Sequence, residues 1–226
     1  MIPKKSGPRK GLTIEEVYLK IKEMIYFNKL APGQKLIYSD LSERLGVSIT
    51  PIVQALNRLE NSKLVKYVPN KGYFVGEITE EEAKQLYQAR EALEIYIVPM
   101  VIQNLDSKKL DEIQKAFSAH LEAYGDRFNR GLILLDSKFH LQIAEHSHNQ
   151  VIYRVLKDVF EQLYLKYPPQ NLSDERAKAV VVEHREILNA LRKRDVQATV
   201  DVIKLHIKAG MAHVINSLKS NSDLVL

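Results

Sequence analysis

The first third of the chain consists of short segments in which apolar and polar residues alternate with helical periodicity. Between residues 12 and 30 the apolar positions recur every three or four residues, which predicts an amphipathic helix, and Thr13 is placed to cap its start. A second, shorter helix is predicted to be capped by Ser39 or Asp40. A turn at Gly46 then leads into a third helix, so the region has the rhythm of a helix-turn-helix.

The periodicity changes from helical to alternating after the third helix. The stretches "LVKYVP" and "YFVGEI" alternate apolar with polar residues on either side of a turn at Asn70, Lys71 and Gly72. This pattern predicts two short strands joined as a hairpin. Three helices followed by a hairpin are typical of a winged helix-turn-helix, and we assign residues 1–78 to such a domain.

The pattern changes again at Thr79, where proline and glycine become sparse and long amphipathic stretches begin. These stretches predict six helices joined by short loops, with breaks that include Gly125-Asp126 and Pro168-Pro169. The predicted helices span 79–105, 107–124, about 127–147, 149–167, 174–194 and 195–218. The expected fold class is mainly α, with an all-α six-helix bundle over residues 79–226 after the winged helix.

Composition and charge narrow the class of protein. No apolar run approaches the roughly 20 residues of a membrane-spanning helix, and the first residues lack a signal-peptide pattern, so we expect a cytoplasmic protein without a membrane partner. The absence of cysteine leaves histidine and carboxylate as metal ligands. Residues 1–78 carry 13 Lys and Arg against 7 Asp and Glu, a net charge of +6, while residues 79–226 carry −1. The excess of positive charge in residues 1–78 favours a polyanionic partner, although a basic surface that is simply exposed to water would carry the same excess.

The third helix has two faces with different expected roles. Ile52, Ala55, Leu56 and Leu59 recur at helical spacing and form the predicted buried stripe. In a helix-turn-helix the opposite side of this helix reads DNA. The outward residues, taken as DNA-binding candidates, are Ser48, Ile49, Thr50, Val53, Gln54, Asn57 and Arg58, with Lys71 and Gly72 added from the tip of the wing.

Residues 12–76 resemble the winged-helix domain of the GntR family of regulators. The resemblance is carried by "PGQKL", "LSERLGVSITPIVQALNRLE", "KLV" and "NKGYFV". Ile49 and Val53 stand where the family usually carries DNA-contacting arginines, and Gln54 stands in place of a glutamate. The resemblance implies DNA binding with an altered code, in which Ile49 or Val53 contacts thymine methyl groups. The lysines and arginines at positions 4, 5, 9 and 10 are expected to form a basic arm.

Histidines are confined to the second domain, where several fall on apolar helix faces. Asp136 and His140 are four residues apart, so both side chains can point at one ion, although such a pair can also simply hydrogen-bond. His184 and His206 lie in line with apolar residues of two later helices. An inward histidine of this kind is either a hydrogen-bonded core residue or a ligand.

Residues 79–218 resemble the FCD domain, which follows many GntR winged helices. Metal-binding members carry D-x-x-x-H on one helix and single histidines on two later ones, which implies Asp136, His140, His184 and His206 as ligands of a divalent metal, Zn²⁺ or Ni²⁺. His120, His146, His148 and His213 lack this correspondence and are expected to be surface or core residues. Together with His140, His184 and His206, these residues account for all seven histidines of the chain.

Arg90 interrupts an apolar stripe of Leu86, Leu93, Ile97 and Val101 on the first helix of the second domain. A buried arginine needs a carboxylate. Either Glu94 or another internal acid supplies it, or, as the FCD resemblance implies, a small carboxylate effector does.

The resulting hypothesis is a sequence-specific transcriptional regulator, expected to be a repressor, that binds a palindromic operator in double-stranded DNA as a homodimer. A small carboxylate effector would bind at its metal-containing pocket. Two alternatives stay open at this point: a metal-dependent hydrolase that uses the same His and Asp residues, and a winged-helix interaction module that has lost DNA binding.

Overall fold

The computed structural model describes residues 11–124, 130–167 and 173–222. The chain divides into two compact units between Glu77 and Ile78. The expected basic arm at positions 4, 5, 9 and 10 and the expected breaks at Gly125-Asp126 and Pro168-Pro169 lie outside the described residues.

The first unit is a winged helix-turn-helix, as the hydrophobic pattern predicts. Its helices are α1 (Ile14–Tyr26), α2 (Tyr38–Leu45) and α3 (Ile49–Asn61), and its strands are β1 (Lys35–Leu36), β2 (Val65–Val68) and β3 (Gly72–Val75). The strands form an antiparallel sheet in the order β1-β3-β2. Strand β1 was not predicted, because a strand of two residues has no periodicity of its own and is defined only by its pairing with β3.

The first residues of α1 and α2 show whether the predicted capping residues are correct. The Thr13 side chain accepts a hydrogen bond from the Glu16 backbone and forms a full capping box, which confirms the predicted cap of α1. The prediction of Ser39 or Asp40 as the cap of α2 is wrong. The Leu41 amide donates to the Ile37 carbonyl at 3.1 Å, so the helix already begins at Tyr38 and both predicted caps lie within its first turn.

The core of the first unit lies between α1 and α3. Val17 and Ile21 of α1 and Ile52, Leu56 and Leu59 of α3 are all 0% exposed. Burying each of these side chains contributes roughly 1.5–3 kcal/mol of transfer free energy. The predicted buried stripe of α3 is therefore confirmed, and it leaves the opposite face of that helix outward.

The second unit contains the six predicted helices. They are α4 (Glu80–Asn104), α5 (Ser107–Tyr124), α6 (Arg130–Glu145), α7 (Gln150–Lys166), α8 (Asp174–Lys193) and α9 (Val196–Ser222). Helix α4 packs against α6, α7 and α9, while α8 packs against α5 and α9. On α4 the inward stripe includes Tyr87 and Glu94, whereas the predicted stripe residues Leu86 and Leu93 are only partly buried. Within the described ranges, no helix combines the length and apolar content needed to cross a membrane.

Gly46 ends α2 in the left-handed conformation, with φ of 64°. A Cβ at Gly46 or at Gly11 would meet no atom within 4 Å, but only Gly46 has positive φ. We expect Gly46→Ala to lower the free energy of unfolding of the first unit by about 1 kcal/mol, because an L-residue is strained in this conformation. The measurement is urea unfolding of the full chain, with Gly11→Ala as the matched control. Equal midpoints for the two variants would contradict a conformational requirement at Gly46.

Candidate functional site

Three helices of the second unit bring the four predicted metal ligands together. Asp136 and His140 lie on α6, His184 on α8 and His206 on α9, and one ligand atom from each lies within 4.8 Å of all the others. The Nε2 atom of His140 is 3.0 Å from Nε2 of His206 and 3.2 Å from Nε2 of His184. All four side chains are buried or nearly so. The cluster is therefore a compact set of inward-facing donor atoms.

These distances fit a single metal ion. Two imidazole nitrogens that bind one zinc ion tetrahedrally at roughly 2.0–2.1 Å lie about 3.3–3.4 Å apart. The Asp136 Oδ1 atom is 3.2 Å from Nε2 of His184 and 3.9 Å from Nε2 of His206. Imidazole suits zinc and nickel, among other transition metals. The residues present thus match the donor set that the sequence predicts.

Two of the histidines are oriented by carboxylates on their outer nitrogens. His140 Nδ1 lies 2.7 Å from Glu94 Oε2, and His206 Nδ1 lies 2.7 Å from Glu183 Oε2. Carboxylates only accept, so each Nδ1 carries a proton and each Nε2 points into the cluster. Outer carboxylates of this kind set the tautomer of metal-binding histidines.

His184 has a different outer partner, which sequence reasoning missed. Its Nδ1 atom is 3.1 Å from Nδ1 of His120, a residue of α5 that is 3% exposed. His120 was expected to be an unassigned surface or core residue. It follows the buried Ile113 and Phe117 at spacings of four and three, a helical pattern that could have placed it inward.

Burial keeps His184 and His206 neutral. Removal from water lowers the pKa of His184 well below its usual value and lowers that of His206 to about 4. Burial raises the pKa of Asp136, but its contact with His184 and the neighbouring His140 and Arg90 outweigh this effect and hold the pKa well below its usual range. At neutral pH His184 and His206 are therefore neutral imidazoles and Asp136 is a carboxylate, which are the forms that bind metal.

Arg90 lies against this cluster and is 2% exposed. Its Nε atom is 2.5 Å from Glu94 Oε1, so Glu94 is the internal carboxylate that pairs with this buried arginine. Its other nitrogens lie 3.2 Å from the Tyr164 hydroxyl and 3.1 Å from His206 Nε2. The Tyr164 hydroxyl also donates to Asp136. Arg90 is thus part of the structure that supports the ligands.

A pocket adjoins the cluster, and Arg90, Asp136 and His206 form part of its lining. Arg176 also lines it and makes two hydrogen bonds to Glu183, of 2.6 and 2.9 Å. Sequence reasoning missed this pair, although residues seven apart lie on one side of a helix. Much of the remaining lining is apolar, with Leu132, Ile133, Leu163, Ala177, Val180 and Val214.

In the first unit, the candidate DNA-reading residues lie on the outward face of α3. Ile49 is 50% exposed at the start of the helix, and Val53 is partly buried. The polar candidates Ser48, Thr50, Gln54, Asn57 and Arg58 are all exposed. This face is separate from the buried stripe of the same helix.

Two of the polar candidates are held by contacts within the unit. The Arg58 guanidinium pairs with Glu15 at 2.6 Å and lies 4.6 Å from the ring centroid of Tyr18. The Asn57 side chain accepts a hydrogen bond from the Tyr73 hydroxyl of strand β3. These contacts orient both side chains before any partner arrives.

The predicted wing tip is a tight turn between β2 and β3. Lys71 is exposed there, and its amide donates to the Val68 carbonyl at 3.0 Å. Gly72 has φ of 92°, a conformation that favours glycine. The turn therefore presents the Lys71 side chain outward.

Comparison with known proteins gives consistent matches to both units. Residues 85–209 match the FCD domain, and residues 13–75 match the bacterial regulatory proteins of the gntR family. The chain is 25% identical over 209 residues to the HTH-type transcriptional regulator YdhC of Bacillus subtilis, a match that covers 92% of this chain and 93% of the relative. It is 28% identical over 181 residues to the regulator McbR of Escherichia coli, covering 77% and 80%.

Solved structures show the same fold. The structure of E. coli McbR/YncC has a TM-score of 0.77 at 21% identity and covers 90% of this chain and 97% of its own. A putative GntR transcriptional regulator from Rhodococcus sp. RHA1 has a TM-score of 0.81, with the same identity of 21% and the same coverage of 90% and 97%.

Proposed function

Because the chain belongs to the GntR family of transcriptional regulators and carries an FCD domain, we propose that it is a sequence-specific repressor controlled by a small carboxylate effector at a metal-containing pocket. DNA binding is assigned to residues 1–78, and metal binding, effector binding and dimerisation to residues 79–226. The observation that carries the proposal is the convergence of three buried imidazoles and one carboxylate beside a pocket.

A divalent ion is supported by the electrostatics of the cluster. His140 and His206 each donate Nδ1–H to a carboxylate, so both Nε2 atoms point into the cluster, where they lie 3.0 Å apart. A divalent ion would bind the inward nitrogens of both rings. Ni²⁺, or Zn²⁺ with a coordination number above four, suits this donor set and would leave a position for an exogenous ligand.

A carboxylate effector is supported by the position of the pocket. The open positions of an ion held by Asp136 and the three histidines would face the cavity that Arg90 lines. A carboxylate that binds the ion would lie within reach of the Arg90 and Tyr164 hydrogen-bonding groups, which already contact Asp136 and His206. Binding would thereby act on α4, α6 and α9 together.

The DNA-binding role is supported by the charge and exposure of the first unit. Its +6 charge suits the phosphate backbone, and the outward face of α3 offers polar readers with Ile49 and Val53 among them. Apolar side chains at this position read thymine methyl groups rather than guanine. We place the protein in the cytoplasm, where its operator is accessible.

A metal-dependent hydrolase would use similar ligands. The relatives that match most of the chain are named transcriptional regulators, which favours regulation over catalysis. An interaction module without DNA binding would show no salt-dependent affinity for DNA, which the binding experiments below measure.

The metal proposal predicts that His184→Ala and His206→Ala lower the metal affinity. The loss should exceed the 10- to 100-fold that is typical when only a hydrogen-bond partner of a metal ligand is removed. The same variants should lose the response to effector and retain DNA binding without metal. In the unchanged chain, an ion at 100 times its dissociation constant should stabilise the second unit by about 2.7 kcal/mol. Elemental analysis of untagged protein and thermal unfolding with and without metal measure these effects.

His148→Ala is the matched control for the metal experiment, because His148 is exposed and is not one of the four predicted ligands. Its metal content should equal that of the unchanged chain. Equal metal content in all variants would mean that His184 and His206 are core residues, and the sensor would have to work without an ion.

The DNA proposal predicts two classes of variant on an operator selected from random DNA. Lys71→Ala and Arg58→Ala should weaken binding to all sequences and reduce the slope of log affinity against log salt by about 1 each, because phosphate contacts act through counterion release. Gln54→Ala and Asn57→Ala should instead relax sequence preference. Titration of labelled DNA at several salt concentrations separates the two effects.

Lys208→Ala removes one positive charge from an exposed position of the second unit instead of the first, and it is the control for the salt slope. The double variant Ile49→Arg with Val53→Arg tests the reading face itself. If affinity and selected operator both stayed unchanged, the placement of these side chains at the DNA would be wrong.

The operator proposal predicts a homodimer. Each winged helix reads one half-site, and half-sites about one turn of DNA apart require two-fold symmetry in the protein. Light scattering at micromolar concentration, with and without operator DNA, should give the mass of two chains. The mass of one chain under both conditions would count against a palindromic operator.

A further inference from the structure

We propose that the effector is a monocarboxylate with an apolar body, and that the pocket discriminates against dicarboxylates of the same length. This inference rests on the proposed metal-dependent carboxylate site and specifies its ligand. It follows from the charges and the lining of the pocket.

The charge balance of the pocket leaves room for one negative charge. Three charged side chains occur among the described residues that line it: Arg90, Arg176 and Asp136. Each guanidinium is already paired, Arg90 with Glu94 at 2.5 Å and Arg176 with Glu183 at 2.6 Å. The uncompensated charges are therefore that of Asp136 and that of a divalent ion, which together leave +1. One carboxylate on the ion neutralises the site.

A second carboxylate would have to take a guanidinium from its partner, and both partners have another role. Glu183 also accepts the Nδ1 proton of His206 at 2.7 Å, and Glu94 accepts that of His140 at the same distance of 2.7 Å. Withdrawing Arg90 would leave the buried carboxylate of Glu94 without its main counter-charge, and withdrawing Arg176 would do the same to the partly buried Glu183, which is costly in both places. Each arginine pair is thus tied to a metal ligand and resists rearrangement.

The rest of the lining suits an apolar body. Leu132, Ile133, Leu163, Val180 and Val214 border the cavity. Of the three tyrosines that line it, Tyr164 and Tyr167 have hydroxyls engaged within the protein, with Asp136 and Ser217 respectively. An alkyl chain would gain about fourfold in affinity for each CH₂ that it buries against such a surface, whereas a second charged end would lose its hydration there.

The test compares hexanoate with adipate, which has the same number of carbons but carries a second carboxylate in place of the methyl end. Calorimetric titration of the zinc-loaded full chain should show hexanoate binding at least about 10-fold more tightly than adipate. Butyrate should bind more weakly than hexanoate, by about fourfold for each CH₂ removed. The metal-free chain should bind none of the three acids measurably.

Glu183→Gln tests the charge argument directly. The amide still accepts the His206 proton through its oxygen, but it releases the positive charge of Arg176 and raises the charge of the pocket by one. The preference should shift toward adipate by about 10-fold or more when zinc is held at a concentration that saturates the variant, because losing the outer carboxylate of His206 is expected to weaken the metal site. The matched control is Glu186→Gln, an exposed position on the same helix, which should keep the preference for hexanoate.

The outcomes separate the inference from the function on which it rests. Adipate binding as tightly as hexanoate to the zinc-loaded chain would overturn the inference and leave a metal-dependent carboxylate site in place. An unchanged preference in metal-replete Glu183→Gln would also overturn it. Failure of all three acids to bind would overturn the carboxylate effector itself and the inference with it.

Discussion

The second unit is organised around one electrostatic constraint, which is that several acceptor atoms of α6, α8 and α9 meet in a buried space. His140 and His206 each donate Nδ1–H to a carboxylate, so both Nε2 atoms point inward. Beside them Asp136 and His184 complete a set of four potential metal-binding atoms, and Arg90 and the Tyr164 hydroxyl donate to His206 and Asp136. A cation would join the three helices that carry this set.

The outer partners connect this cluster to the pocket. Glu94 contacts both Arg90 and His140, and Glu183 contacts both Arg176 and His206. The same carboxylates therefore orient metal ligands and neutralise the cations of the pocket. A change in either arginine pair therefore also acts on a histidine of the cluster, which couples the pocket to the helices that hold the cluster.

In the first unit, a single helix must satisfy two demands. One side of α3 packs into the core through Ile52, Leu56 and Leu59, which are fully buried, so only the other side is available for DNA. On that side Arg58 is held by Glu15 and Tyr18, and Asn57 by Tyr73. Side chains held in this way lose less conformational freedom when they contact a partner, which suits a reading surface that lacks the usual arginines.

Hydrophobic periodicity alone determined the helices of both units, the wing hairpin and the buried stripe of α3, because these features depend on spacing within one segment. The inward direction of His184 and His206 followed from the same rule. Strand β1, the roles of Glu94 and Glu183, and the contact of His120 with His184 were decided by tertiary structure. Each of these features depends on residues that are far apart in the chain, or on which of two neighbouring residues faces the core. On α4 that choice placed Glu94 inside, where Arg90 and His140 both hydrogen-bond to its carboxylate, and left Leu93 only partly buried.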